Sequence, residues 1–306
     1  MVASFSFRKY GDSNIAEHFT QPSDYFQLGD KVDMADITRP ESFHKHIRYN
    51  TSMIVIGGGG IYGAITWKRI RQIVGMTPPS VPIVFWGMGI NDHGKTEKLY
   101  GPILTYLEGK SNVLIGLRDI NYKTYVPCAS CMREEFDWTY PITRDVVYYA
   151  HQDQVLNLPY PTLTNRTEGN PLDCFRRVVA FLGSADSVVT NTYHGAFWAT
   201  LLGRKVIVAC PFSNKFYGLK YEPVIVSDED AIQEGIARAA SYPDALEDGR
   251  SANRLFYRRV REFAENSRTG GIIGTAAWLK RRQVLALMER GFTYGRRVVS
   301  LRRGRE

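Results

Sequence analysis

The feature that most constrains this chain is an alternation of short apolar, β-branched runs, each stopped by turn residues, with segments of helical length. Met53-Ile-Val-Ile56 ends in four glycines, Gly57 to Gly60, and Val81-Pro-Ile-Val-Phe85 and Val113-Leu-Ile-Gly-Leu117 have the same form. Runs of this kind, lacking a polar face, suit parallel strands buried on both sides, and parallel neighbours require crossover helices. Residues 66–74 and 95–108 supply them. A second series follows with Val146-Val-Tyr-Tyr149, a helix over 171–182, Ser187-Val-Val-Thr190, a helix over 194–202 and Lys205-Val-Ile-Val-Ala209. An edge strand at 224–226 and a helix over 228–240, whose acidic start suits its positive end, complete it.

The expectation is α/β, with an N-terminal Rossmann-like domain over 1–142, a C-terminal one over 143–250, and a basic helical extension over 251–306 packing on them. In such pairs ligands sit where strand C-termini face one cleft.

Composition excludes several alternatives. With 44% hydrophobic and 23% charged residues the chain is not disordered, and no run approaches the roughly 18 apolar residues of a membrane span. The first residues carry no secretory h-region, so the expected location is cytoplasmic. Four cysteines are too few for a disulfide scaffold, and Cys128-Ala-Ser-Cys131 lacks the further ligands a structural zinc needs. No metal is expected. The net charge of +8 is a local property: residues 251–306 hold 14 Lys and Arg against 4 Asp and Glu, leaving 25 against 27 elsewhere. A terminal excess of this kind suits a solvated helix, or contact of residues 276–306 with an anionic membrane surface, better than a basic cleft for nucleic acid.

Three places could carry chemistry. Gly58, Gly59 and Gly60, with Tyr62, follow a strand and form a ligand loop in which backbone amides can approach an anion. They match neither the dinucleotide fingerprint nor a phosphate loop. Arg118, at the end of a strand, can grip a carboxylate or phosphate through its planar fork, with Asp119 beside it to orient it or act as a base. Thr190-Asn-Thr-Tyr-His-Gly-Ala196 turns from a strand into a helix, placing His194, Asn191 and the Gly195 amide at an anion-binding helix start. His194 can act there as an acid or a base.

Taken in order, Ile54-Val-Ile-Gly-Gly-Gly-Gly-Ile-Tyr62, Phe85-Trp-Gly-Met-Gly-Ile-Asn91, Ile115-Gly-Leu-Arg-Asp119 and Thr190-Asn-Thr-Tyr-His-Gly-Ala196 resemble the polysaccharide pyruvyl transferases. The resemblance spans most of residues 50–220. It implies two Rossmann-like domains facing a central cleft in the GT-B manner, with no cofactor and phosphoenolpyruvate as donor substrate. Pyruvate would pass as a ketal to a saccharide, such as an exopolysaccharide precursor on a lipid carrier, and phosphate would leave. It also implies that Arg118 binds the donor and that His194 is the family's histidine.

One departure matters. Many members carry an arginine where this chain has Thr192, and Lys215, following the next strand, is assigned its work. A GT-B glycosyltransferase using a sugar nucleotide is the first alternative, and a non-enzymatic nucleic-acid-binding module the second.

Overall fold

The computed structural model describes residues 1–6, 14–47, 50–59, 64–89 and 97–269. Expectations placed on Gly60, Tyr62 and residues 276–306 lie outside the described residues. Among the described residues ten strands form two parallel five-stranded sheets. The first holds β1 (Val2–Ser6), β2 (Val32–Asp36), β3 (Met53–Gly57), β4 (Ile83–Met88) and β5 (Val113–Leu117), in the order β2-β1-β3-β4-β5. The second holds β6 (Arg144–Ala150), β7 (Thr162–Thr164), β8 (Ala185–Thr190), β9 (Lys205–Ala209) and β10 (Val224–Val226), in the order β10-β9-β8-β6-β7. Numbered within its own sheet, the second repeats the first: both are 2-1-3-4-5, the doubly wound order whose switch point lies between the first and third strands.

Helices cover the sheets as the sequence pattern requires. α1 (Phe43–His46), α2 (Ala64–Met76) and α3 (Glu97–Glu108) serve the first, and α4 (Pro171–Gly183), α5 (Tyr193–Leu201) and α6 (Ile232–Arg238) the second. Ile54, Ile56, Phe85 and Ile115 face the core shared with Ile70, Ile73 and Leu107 of α2 and α3. The intervening Val55, Val84 and Trp86 face the opposite layer, as the two-residue strand period demands. The chain therefore has two Rossmann-like domains facing a cleft, a GT-B-like architecture.

Three strands, β1, β2 and β7, have no counterpart in the sequence reading, and one helix is shorter than expected. β1 lies inside its sheet between β2 and β3, yet Val-Ala-Ser-Phe-Ser has no β-branched run. Its Ser4 and Ser6 are buried, and Ser4 Oγ donates to Gln21 Oε1 at 3.1 Å. The helix expected over 228–240 is shorter, because Asp228 Oδ1 accepts the Ala231 amide at 2.9 Å and holds the first residues in a turn.

The last described helix, α7 (Ala245–Thr269), crosses back to the first sheet. Its Phe256 and Val260 are buried against Val2, Val55, Val84 and Trp86, and Asn253 Oδ1 accepts from Trp86 Nε1 at 2.8 Å. The exchange is mutual. Ile15, Phe19, Cys128, Cys131 and Phe136, all before the second sheet in sequence, pack in its core with α4 and α5. Among the described residues no helix is long and apolar enough to cross a membrane.

Candidate active site

The two switch points face one another. A cavity of about 450 Å³ lies between them, lined by Asn14, Glu17, Gly59 and Arg118 from the first half. The second half contributes Tyr149, His151, Asp153, Gln154, Asn165, Thr192, Tyr193, His194, Phe212 and Lys215. Arg118, His151 and Asn165 follow a strand end directly, which is where doubly wound sheets present ligand groups.

Arg118 leaves β5 with its amide bound to the Met88 carbonyl at 2.9 Å. Its guanidinium carbon lies 3.6 Å from the centre of the Tyr193 ring, and the residue is only 2% exposed. The same side chain packs closely on Gly89, where an added Cβ would come within 2.2 Å of Arg118 Nε and 2.6 Å of Cγ, so the glycine makes room for the arginine. The ring and the glycine together clamp the side chain at the cleft wall.

The elbow into α5 is held by its own hydroxyls. Thr190 Oγ1 donates to the Tyr149 carbonyl at 2.6 Å, and Thr192 Oγ1 caps the helix by accepting the Gly195 amide at 2.9 Å. The Gly195 amide is therefore engaged within the protein, leaving the first-turn amides of Tyr193 and His194 without an intrahelical acceptor. Gly195 matters for space: a Cβ there would lie 2.5 Å from Tyr149 Cδ1 and 2.4 Å from two threonine hydroxyls. Asn191 also acts structurally. It accepts the His151 amide at 2.7 Å and donates to the Gln154 carbonyl at 2.6 Å, fixing the turn after β6, and it does not line the cleft.

His194 is 8% exposed and lies between the rings of Tyr193 and Trp198, each 5.2 Å away. Its Nε2 has no protein partner. Burial, then the charges of Arg118 and Lys215, hold its pKa well below the usual histidine value, so the imidazole is neutral at neutral pH. Lys215 sits on a short 3-10 turn after β9, with its ammonium 4.5 Å from the Phe212 ring centre and 5.3 Å from that of Phe216. Ring faces favour its charge, as does Glu17. Burial and Arg118 oppose it more strongly and lower its pKa to about 8. Arg118 and Lys215 thus bring positive potential into the cleft, and Glu17 offsets part of it.

The other expected residues are placed as follows. Asp119 is buried against the backbone of Gly218, where a Cβ would fall 2.4 Å from Oδ1, and it is not among the lining residues. Gly58 and Gly59 both have positive φ, at 79° and 83°. Gly58 lies under Thr20, whose Oγ1 would be 2.3 Å from an added Cβ, so its lack of a side chain serves packing; Gly59 alone reaches the cavity. Cys128 and Cys131 are free and fully buried, and burial raises both thiol pKa values. Among the described residues no three His, Cys, Asp or Glu side chains are grouped to hold a metal ion.

Sequence reasoning missed Glu17, Tyr149, His151, Asp153, Gln154 and Asn165. His151 follows β6, so the strand-end rule that found Arg118 could have found it, whereas Asn165 follows β7, a strand that the sequence reading did not contain. Glu17 had no such signal, because it lies on a 3-10 turn, Ile15–His18, outside any recognisable motif.

No protein-family model matches the chain, and no curated protein matches it. Among solved structures it is similar to a functionally uncharacterised protein of Klebsiella pneumoniae, at 14% identity and a TM-score of 0.42. That match covers 70% of this chain and 84% of the other, and at this level it carries no argument about activity.

Proposed function

We propose that this chain is a GT-B-type transferase that holds an anionic donor in the cleft and passes a group from it to a saccharide hydroxyl. The observation that carries this reading is the convergence of Arg118, Lys215 and the neutral, unpartnered His194 on one cavity between the two sheets. Cations bind the donor's oxygens, and His194 accepts the proton of the attacking hydroxyl.

The sequence resemblance supports phosphoenolpyruvate as that donor. Its vinyl carbon would take up a proton, two hydroxyls of one sugar would add to the central carbon, and phosphate would leave, forming a ketal. The architecture supports a second donor, a sugar nucleotide. The carboxylates of Glu17 and Asp153 in the cleft wall suit the ribose or sugar hydroxyls that such a donor brings. Incubation of the protein with each donor and a panel of lipid-linked saccharides separates them. Phosphate released from phosphoenolpyruvate with a pyruvate ketal on the product supports the first, and nucleoside diphosphate with a lengthened saccharide supports the second. Turnover of neither would sink the transferase reading.

A lipid-linked acceptor also suits contact of the basic residues 276–306 with an anionic membrane. Cosedimentation with anionic liposomes is expected at low salt and should fade at high salt, since each cation adds only about 1 kcal/mol and is screened. Binding that ignores salt would remove this partner.

A further inference from the structure

One lining residue has a polar group that neither the fold nor the reading above uses. Tyr149 is the next-to-last residue of β6 and is 1% exposed, yet its hydroxyl reaches no hydrogen-bond partner in the protein. Its ring is held firmly: it packs in the core with α4 and α5 and lies against Gly195, whose missing side chain makes room for Cδ1. Cys174, which bears on it electrostatically, donates its thiol proton to the Glu168 carbonyl at 3.0 Å. A buried hydroxyl without a partner costs folding free energy and requires an explanation. His194 Nε2 is in the same condition, and both residues line the same cavity. Tyr149 and Thr190 are paired across β6 and β8, the strands that flank the second switch point. Two partnerless polar groups, one near the end of β6 and one in the first turn of α5, each held by close packing, form a recognition surface whose hydrogen bonds are completed by a ligand.

We infer that Tyr149 is a donor-binding residue whose hydroxyl gives a hydrogen bond to an oxygen of the anionic donor, on the same side of the cleft as His194. Burial raises the phenol pKa, so the hydroxyl keeps its proton at neutral pH and acts as a donor. It discriminates by chemistry: an oxyanion satisfies it, and an apolar group in the same place leaves it unpaired. The inference rests on the anionic-donor reading.

The test is Tyr149→Phe, which keeps the ring and removes only the hydroxyl. Affinities for phosphoenolpyruvate and for uridine diphosphate are measured by calorimetry, alongside thermal melting of the ligand-free protein. The expected result is about a tenfold loss of affinity for whichever probe the parent binds, with a melting temperature equal to or above the parent's. A residue that serves only the fold would lower the melting temperature and leave affinity in place. Affinity within twofold of the parent would overturn the inference, as would a loss matched by a lower melting temperature. If the parent binds neither probe, the anionic-donor reading fails and this inference falls with it. Equal binding by parent and variant removes Tyr149 alone.

Discussion

Arg118 owes its position to two neighbours that carry no charge, the Tyr193 ring and the backbone of Gly89. Gly89→Ala would push a methyl group into the buried guanidinium side chain. The expected outcome is a loss of donor affinity of about tenfold or more with little change in fold, because one clamp wall is displaced. Calorimetric titration of this variant checks it, and unchanged affinity would show that the clamp does not set the arginine's position. Lys215 yields a pH dependence. An anion beside it favours the ammonium, so binding draws in a proton wherever the free amine has lost one. Affinity should hold steady below about pH 8 and fall as the pH rises through that value. Lys215→Arg, charged at any accessible pH, should remove the fall. A parent with flat affinity across this range would mean that Lys215 does not face the anion.

At the scale of elements, the junction of β8 and α5 explains the departure at Thr192. The threonine caps the helix, so the place where the sequence resemblance implies an arginine is occupied by a residue with a structural task. Thr192→Arg should cost about 1 kcal/mol of stability through the lost cap. In a Lys215→Ala background, which should lose most donor binding, it should nevertheless recover part of the affinity, because both positions line one cavity. A double-mutant cycle on donor affinity reads the coupling directly. Strict additivity would place the two residues at separate sites. This junction also shows what an element can hide: Asn191, chosen for its place beside His194, instead ties down the turn after β6.

Across the whole molecule, the two halves are interlocked. The 3-10 turn at Ile15–His18 and the segment with Cys128 and Cys131 pack in the second core, while α7 packs on the first sheet. Phe256 of α7 meets the Trp86 ring at 5.1 Å, edge to face, and leaves no room for a side chain at Gly116. Phe256→Ala should destabilise the protein by about 3–5 kcal/mol, the usual cost of emptying an aromatic core position. A calorimetric melt shows it as a lower transition temperature. A loss below about 1 kcal/mol would mean that α7 merely covers the sheet without securing it.

Most of the order of strands and helices after residue 50, β7 apart, was legible in the sequence, because periodicity and glycine stops are local properties of the chain. So was the placement of Arg118, His194 and Lys215 along the cleft, since the segment that follows a parallel strand emerges at the C-terminal edge of its sheet. The interior position of β1 was not legible: a serine-containing strand is stabilised by neighbours on both faces, and those come from distant sequence. For the same reason only the tertiary structure separated lining residues from packing residues, placing Asn191 and Gly58 in support and Tyr149, His151 and Glu17 at the cavity. It also decided the electrostatics. Whether His194 is neutral depends on burial and on two cations brought beside it from β5 and the turn after β9, and no spacing in the sequence encodes that convergence.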